Sequence, residues 1–509
     1  SDAGEKTVES NSDSNFNETG FPIVKNKITL KMAAPRRSLV KPFDELPFFK
    51  KMEEVTNVKI EWYTPDRDTE WEEKKNLMIA SNDLPDAFYK GLNFSDLDLL
   101  SYGSQGIFIP LEEYIEKYGD NIKTLFEQKP EYAKAVVAPD GHIYALPQFE
   151  EGVPLTVAAF FMNTTWLKKL NLKVPETPDE FYEVLKAFKE KDPNGNNKQD
   201  EIPFGFKSLY DVAGIAKMFG AFGILDNENK LVIKDNKLIF TANQPEYKEA
   251  IKYYHKLFAE GLVDKEALTH DEGVYLSKVR NKEQIYGSFL AWSEEYCFGE
   301  DNPDYEAILP LKAPDGSRLW EWAPPYFTKT GFIITKACKY PEVAFRWGDY
   351  QYDPLIGLQA GLGTIGEMIK QNEDGTLEYL PTPEGKTFDE WRGENCPGVS
   401  ALNVLYDDIM RKLQPSEDFI EKFKLDEFYK DCIKHEVFSS SLVYMTAEES
   451  EKLTILQTDI KTYVDQMTAK WLLNGGIEDE WDAYVKKLQE MGIDEMMKIY
   501  NNVYSRMKN

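Results

Sequence analysis

The chain alternates short apolar stretches with amphipathic segments along most of its length. Ile28, Leu30 and Met32 alternate with polar residues, which predicts a first strand. The segment PFFKKMEEVTN (47–57) then has helical spacing, and VKIEWYTP (58–65) returns to strand spacing. Because strands and helices alternate at short intervals, the pattern predicts βαβ units and a largely parallel sheet.

A second series of strands and helices begins near residue 155. The run LTVAAFFMN (155–163) is continuously apolar, which is typical of a strand that is buried on both faces. In the helical segment that follows, we predict Thr177 as the N-cap, Pro178 at the first helical position and Glu180 as the partner in a capping box. The C-terminal sequence predicts two long helices, over 449–475 and 479–507.

The length of the chain and its first residues bear on domain organisation. A chain of 509 residues is too long for one small core and should divide into two or more domains. Residues 1–24 open with a polar run rich in Ser, Asn, Asp and Glu, so we predict a flexible leader there. A tether to a membrane anchor has this composition, and so does a disordered terminus without a role.

Charge and cysteine content exclude several functions. The formal net charge of −28 argues against nucleic acid as a partner, because phosphate contacts need clustered Lys and Arg. No run of about twenty apolar residues could span a bilayer. The four cysteines have no CxxC spacing, which argues against zinc. Buried free thiols are favoured for them, with a disulfide between distant cysteines as the alternative.

A loop at 191–203, KDPNGNNKQDEIP, has the composition of a calcium site. Side-chain oxygens recur at alternate positions. With Asp192 counted as position one, the backbone carbonyl of position seven is expected to join them. Calcium takes six to eight such oxygens. The EF-hand glycine at position six and the EF-hand glutamate at position twelve are both missing, so the site would be shorter than an EF-hand loop. A solvated polar turn is the alternative interpretation. The predicted ligands are Asp192, Asn194, Asn196, the Lys198 carbonyl, Asp200 and Glu201.

Aromatic and cationic residues at strand ends and in loops are the candidate ligand-binding groups. Flat aromatic faces stack on sugar rings, while charged and amide groups bind the hydroxyls. For a single aromatic residue, packing in the core is the commoner role, but alternation in LWEWAPPYF places Trp320 and Trp322 on one side of an extended segment. The candidates are Trp292, Trp320, Trp322, Tyr326, Trp391, Arg392 and Arg36.

Catalytic motifs are missing from the sequence. There is no GxSxG, GxGxxG or Walker A pattern, and carboxylate pairs mean little when 88 residues are Asp or Glu. We therefore expect no enzymatic activity.

Several segments resemble the extracellular solute-binding proteins of bacterial ABC sugar importers. DGHIYALP (140–147) followed by LTVAAFFMNTTWLKKLNLKVPETPDEFYEVLKAF (155–188) resembles the passage between the lobes of maltose-binding-type proteins. GFIITKACKYPEVAFRWGDYQYD (331–353) resembles their later strand and helix. The C-terminal helices are similar to a larger lipoprotein subgroup of Gram-positive bacteria. The loop at 192–203 is similar to the calcium loop of alginate-oligosaccharide binding proteins.

This resemblance implies an α/β fold of two lobes, joined by hinge crossings, with a ligand cleft between the lobes. The crossings are expected within 148–154, 309–325 and 397–415. The implied arrangement is a leader at 1–24, a discontinuous N-lobe of 25–150 and 310–400, and a C-lobe of 151–309 and 401–509 that carries the calcium loop.

The resemblance also implies a function. The expected protein is a monomeric, lipid-anchored receptor on the extracellular face of the membrane that delivers an oligosaccharide to an ABC permease and holds calcium structurally. Two alternatives remain open at this point. One is a calcium-stabilised carbohydrate-active enzyme, and the other is a receptor for a peptide or another small solute.

Overall fold

The computed structural model describes residues 14–299, 301–323, 326–399, 403–432 and 436–508. The strands in chain order are β1 Ile28–Ala33, β2 Val58–Tyr63, β3 Ala87–Tyr89, β4 Leu146–Glu150, β5 Ala159–Asn163, β6 Leu231–Lys234, β7 Lys237–Phe240, β8 Ser288–Ala291, β9 Tyr305–Ile308, β10 Tyr326–Ile334, β11 Ile369–Gln371, β12 Leu377–Tyr379, β13 Val404–Leu405 and β14 Glu436–Val437.

The α-helices in chain order are α1 Pro47–Thr56, α2 Trp71–Ala80, α3 Asp96–Ser104, α4 Glu112–Tyr118, α5 Asp120–Gln128, α6 Pro130–Ala135, α7 Thr164–Lys169, α8 Pro178–Glu190, α9 Pro245–Ala259, α10 Glu272–Val279, α11 Glu294–Phe298, α12 Pro341–Tyr350, α13 Pro354–Leu362, α14 Phe388–Gly393, α15 Asp407–Met410, α16 Glu417–Phe428, α17 Ala447–Asn474, α18 Ile477–Glu490 and α19 Ile493–Lys508. None of the helices among the described residues has the length and apolar content needed to cross a membrane.

The chain divides into two discontinuous compact units. Unit 1 comprises Ser1–Gly152, Tyr326–Gln414 and Ser441–Ala447, and unit 2 comprises Val153–Pro325, Pro415–Ser440 and Glu448–Asn509. These limits differ from the expected lobe boundaries at residues 310 and 401.

Backbone pairing explains the different limits. Residues near 320 belong to unit 2, because Trp322 forms a bridge with Thr156 and the Ala323 amide donates to the Leu155 carbonyl at 2.7 Å. The segment around 404 belongs to unit 1, because β13 pairs with β4.

Residues 14–24 of the predicted flexible leader are folded against unit 1. Phe16 and Val24 form an antiparallel bridge, and Ile23 and Val24 are completely buried. The prediction of a flexible leader is therefore wrong for residues 14–24. Residues 1–13 lie outside the described part of the chain.

Unit 1 is built on a six-stranded mixed sheet in the order β13-β4-β10-β3-β1-β2. β1 pairs in parallel with β2 and β3, β13 pairs in parallel with β4, and only β10 runs antiparallel, between β3 and β4. The carboxyl ends of β1, β3 and β4 therefore meet the start of β10 at one edge of the sheet. Open α/β sheets bind their ligands at this edge.

The regular strands of unit 2 are not parallel as predicted, although the isolated bridges Ile202–Tyr286 and Gly205–Phe289 run parallel beside β8. The sheets of this unit, β8-β5-β9 and β14-β6-β7, are antiparallel throughout their pairs. The apolar run that became β5 is buried at every position, as expected. Such a run identifies a buried strand but carries no information about the direction of its neighbours.

Two details of the predicted helices differ from the sequence pattern. Thr177 caps α8 as expected by accepting from the Glu180 amide at 3.2 Å, but the Glu180 carboxylate accepts from the Glu176 amide rather than from the cap residue itself. The second of the predicted C-terminal helices is divided into α18 and α19. Gly492 lies at the break with a φ of 93°, a conformation that interrupts a right-handed helix.

No disulfide joins the cysteines of the described residues. Cys297, Cys396 and Cys432 are buried, and Cys338 is partly buried. Burial raises the pKa of the Cys297 thiol to about 12, so this group behaves as an inert apolar side chain.

Candidate functional site

The carboxyl edge of the unit 1 sheet collects charged and aromatic side chains. Arg36 follows β1, Lys90 follows β3, and Glu150 ends β4. Tyr326 opens β10 directly opposite Glu150 and is 47% exposed. These residues come from distant parts of the sequence, and the sheet topology alone brings them to one edge.

Lys90 is the most unusual residue of this edge. The residue has a left-handed φ of 53°, and its amide donates to the Gly331 carbonyl at 2.7 Å. Its side chain is 4% exposed, and its Nζ has no hydrogen-bond partner within the described residues. Burial lowers the pKa of Lys90 to about 8, although the nearby Cys396 and Glu150 oppose the shift.

Glu150 and Asn403 form a hydrogen-bonded pair at the same edge of the sheet. Glu150 Oε1 accepts from the Asn403 side-chain amide at 2.9 Å and from its backbone amide at 3.2 Å. Asn403 is 4% exposed, and its Oδ1 has no partner among the described residues. Sequence reasoning missed Lys90, Glu150 and Asn403, because nothing in their local sequence signals that they lie at this edge.

The other candidates of unit 1 have structural roles in this conformation. Arg36 donates to the Thr64 hydroxyl at 3.2 Å and to the Val40 carbonyl at 2.5 Å. Arg392 forms an ion pair with Asp389, with 3.1 Å between Nη2 and Oδ1. Trp391 is buried, at 7% exposure, which places it in the core rather than on a ligand-facing surface. Of the candidates in unit 1, only Tyr326 presents a large aromatic surface.

In unit 2 the structure links Trp292 and Trp322 through α16. Trp292 directly follows β8, and its carbonyl accepts from Lys422 Nζ, which also lies 3.7 Å from the centre of the indole ring. The same ammonium lies 3.4 Å from the Val157 carbonyl, next to Thr156, which forms a bridge with Trp322. Both indoles are partly exposed. They therefore remain candidates for stacking on a ligand.

Trp320 is a buried core residue, contrary to the sequence-based prediction. Its side chain is 1% exposed and stacks on Tyr429 at 5.4 Å between ring centres. Its indole NH donates to the Ala158 carbonyl at 2.8 Å. Alternation places Trp320 on the same side as Trp322 but does not reveal that Tyr429, more than a hundred residues later, covers it.

The loop at 191–203 folds into a tight turn around Asp200. The side-chain amides of Asn194 and Asn196 donate to the two Asp200 oxygens at 3.0 and 2.8 Å. The Asn197 amide donates to Asp192 at 3.0 Å, and Asn197 has a φ of 59°, as expected for the position that holds glycine in an EF-hand. The predicted ligand residues therefore face one another.

Two carboxylate oxygens in this loop lack partners. Asp192 Oδ1 and Glu201 Oε1 are buried and accept no hydrogen bond from the described residues. Burial raises the pKa of Glu201, and the neighbouring Asp192 raises it further. Such oxygens are costly to bury without a donor or a cation. The residues present therefore fit a bound divalent cation.

A further carboxylate borders the loop. Glu283 accepts from the Asn196 side-chain amide at 2.6 Å and from Lys198 Nζ at 3.0 Å. Sequence reasoning missed it because it lies more than eighty residues away. Among the described residues, no three His, Cys, Asp or Glu side chains cluster as a metal site, so a cation here would also need amide and carbonyl oxygens.

Comparison with known proteins adds independent information. A model of the family described as bacterial extracellular solute-binding protein matches residues 32–354. The fructooligosaccharide ABC transporter substrate-binding protein FusA of Streptococcus pneumoniae serotype 4 is 34% identical over 520 residues, which cover 99% of this chain and 95% of FusA. Lipoprotein LipO of Bacillus subtilis is 31% identical over 522 residues, covering 96% of this chain and 95% of LipO.

Solved structures agree with this assignment. The S. pneumoniae FusA complex with kestose has a TM-score of 0.82 at 32% identity and covers 94% of this chain and 99% of that chain. The alginate-binding protein AlgQ2 without calcium ion has a TM-score of 0.70 at 23% identity, over 96% of this chain and 100% of that chain, which shows a shared fold alone. The resemblance seen in the sequence is thus confirmed, and the chain belongs to the bacterial extracellular solute-binding proteins, with their two-lobe α/β fold.

Proposed function

We propose that this protein is the substrate-binding lipoprotein of an ABC transporter, which captures an extracellular oligosaccharide and delivers it unchanged to a membrane permease. The observation that carries the proposal is the 34% identity to FusA across 99% of this chain. The similarity to LipO, which is named a lipoprotein, supports a lipid anchor on the extracellular face of the membrane. A monomer is sufficient for this function.

The ligand is a neutral oligosaccharide of the fructooligosaccharide class. FusA is named for this class and was solved with kestose. The net charge of −28 disfavours a strongly anionic glycan, because the overall field of the protein repels it. The partly exposed rings of Trp292, Trp322 and Tyr326 offer apolar faces for sugar C–H groups.

Thermal unfolding with a glycan panel tests the ligand class. Kestose and longer fructooligosaccharides should raise the melting temperature, whereas oligogalacturonates and alginate oligosaccharides should not. A ligand that binds only the folded state adds about 2.7 kcal/mol when its concentration is a hundred times Kd. A shift with uronic oligosaccharides alone would contradict the ligand class. Hydrolysis of the recovered glycan would contradict a receptor and favour an enzyme.

Single tryptophan substitutions test the stacking surfaces. Trp322→Ala and Trp292→Ala should each weaken kestose binding about tenfold, or about 1.4 kcal/mol, because each removes an aromatic face from the sugar. Isothermal titration calorimetry measures the loss. Leu473→Ala is the matched control, since Leu473 is an exposed apolar residue of α17 in the same unit. Unchanged affinity in both tryptophan variants would remove these indoles from the binding site.

We further propose that the loop at 191–203 holds a structural calcium ion. An EF-hand mutant of S. pneumoniae FusA has been solved in complex with fructo-nystose, which supports a cation loop in that relative. Calcium would supply the positive charge that the buried Asp192 and Glu201 oxygens lack. The residues that would hold it are Asp192, Asn194, Asn196, the Lys198 carbonyl, Asp200 and Glu201.

A further inference from the structure

We propose that Lys422 positions the indole of Trp292 for the sugar by covering one face of the ring. Only the opposite face then remains for a sugar to stack on. This inference rests on the proposed function and deepens it, because it names a residue that acts on the ligand through Trp292. All contacts that carry it lie within unit 2.

The ammonium of Lys422 lies over the indole rather than beside it. Its Nζ is 3.7 Å from the centre of the Trp292 ring. The atoms of the ring would keep a group in the ring plane farther from the centre, so this separation places the ammonium on one face. Trp292 is partly exposed. Its uncovered surface therefore belongs to the opposite face and to the edges of the ring.

Hydrogen bonds fix the ammonium at this place. Lys422 Nζ donates to the carbonyl of Trp292 itself at 2.9 Å and to the Val157 carbonyl at 3.4 Å. Lys422 is 0% exposed. A contact between a cation and an aromatic face contributes more when it is shielded from water. The burial of Lys422 therefore strengthens the contact that holds the ring.

The helix that carries Lys422 is itself held in place from two sides. Asp426, one turn later in α16, accepts from the Leu155 and Thr156 amides at 3.0 and 2.7 Å. Glu421 accepts from the first two amides of α11 at 2.6 and 2.9 Å. The fold therefore sets the position of the Lys422 ammonium before a ligand arrives.

A ring that is held in place binds a sugar more tightly than a mobile ring. Ordering a flexible side chain during binding reduces affinity, and a side chain that is already ordered avoids this loss. A lysine that only joined the two carbonyls would stabilise the fold without any link to the ligand. The two roles therefore differ in whether the effect of Lys422 on affinity depends on the Trp292 indole.

A double-mutant cycle between Lys422 and Trp292 tests the proposal in the full-length protein. Lys422→Met keeps the length of the side chain and removes the ammonium. Kestose affinity should fall about threefold to tenfold, as expected when a side chain must be ordered on binding. In the Trp292→Ala background the same substitution should change affinity less than about twofold, because the ring through which Lys422 acts is gone. Isothermal titration calorimetry well below the melting temperature measures all four proteins.

Lys230→Met is the matched control in the same unit. Lys230 is 1% exposed, and its ammonium also lies over an aromatic ring, 3.6 Å from the centre of Tyr210. It forms an ion pair with Asp465 at 2.9 Å. This variant removes a buried lysine of the same kind at another place, so it should lose stability and keep its kestose affinity.

Lys422→Gln takes the place of Lys422→Met in the cycle if the methionine variant does not fold. Glutamine retains a donor for the two carbonyls and removes the positive charge from the ring face. The expected pattern is the same, with a loss of kestose affinity when the Trp292 indole is present and little change when it is absent.

The outcomes separate this inference from the proposed function. Binding of any glycan of the panel by the wild type supports the receptor, and the cycle is measured with the glycan that binds. Equal losses with and without the Trp292 indole overturn the role of Lys422 while the receptor stands. Unchanged affinity in the Lys422 variant or in Trp292→Ala does the same. Failure of the wild type to bind any of the glycans overturns both proposals.

Discussion

Replacing Trp320 by alanine should lower the free energy of unfolding by about 3–5 kcal/mol, the usual cost of removing a large buried aromatic side chain. Trp320 is 1% exposed and stacks on Tyr429. Tyr429 in turn connects two strands, since its hydroxyl donates to the Ile308 carbonyl at 2.9 Å and accepts from the Phe160 amide at 3.1 Å. The cavity would therefore weaken the support of both β5 and β9.

Denaturant unfolding of the variant measures this loss. Trp320→Phe is the intermediate control, because it retains an aromatic ring against Tyr429 and loses the 2.8 Å hydrogen bond to Ala158. Trp322→Ala should cost far less stability, since that indole is partly exposed. A loss of less than about 1 kcal/mol in the free energy of unfolding of Trp320→Ala would contradict the core assignment, because losses that small are typical of surface substitutions.

The tryptophans illustrate what the sequence can and cannot predict. Trp320 and Trp322 are the same residue type two positions apart in one extended segment, yet one is in the core and the other is partly exposed. The difference arises from Tyr429, which reaches Trp320 only after the chain has passed through unit 1 and returned. Local pattern holds no information about such a long-range contact.

Features that depend on nearby residues were predictable. The N-cap Thr177 and the strand β1 follow from side chains within a few positions, and the structure has them. The direction of the strands next to β5 and the pairing of Glu150 with Asn403 depend on topology instead. The family resemblance supplied the overall fold, whereas the polar cluster at the sheet edge became visible only in the folded structure.

Removing calcium should lower the melting temperature of this protein strongly and reversibly. Calcium at a concentration a thousand times its Kd would stabilise the folded state by about 4 kcal/mol. The physical basis is the pair of buried oxygens of Asp192 and Glu201, which accept no hydrogen bond from the described residues. Differential scanning calorimetry with added calcium, and then with EDTA, measures the shift.

Two variants make this prediction specific to the loop. Glu201→Gln removes one charge of the repelling pair, so it should raise the melting temperature in EDTA and abolish most of the calcium shift. Glu283→Gln is the matched control, because Glu283 contacts Asn196 and Lys198 but is not among the proposed ligands, so the calcium shift should remain. Equal melting temperatures of the wild type in calcium and in EDTA would refute the calcium site.

Kestose affinity in EDTA then decides what the ion does. The predicted ligands lie within one loop of unit 2. The residues outside the loop that hydrogen-bond to it, Lys169 and Glu283, are also in unit 2. An ion there would cross-link local backbone and carboxylates, and the hydrogen bonds of the predicted ligand side chains join them to the loop itself and to Glu283. We therefore expect kestose affinity at a temperature well below unfolding to change less than about twofold on chelation. A loss of binding by folded, calcium-free protein would instead mean that the ion controls the ligand site.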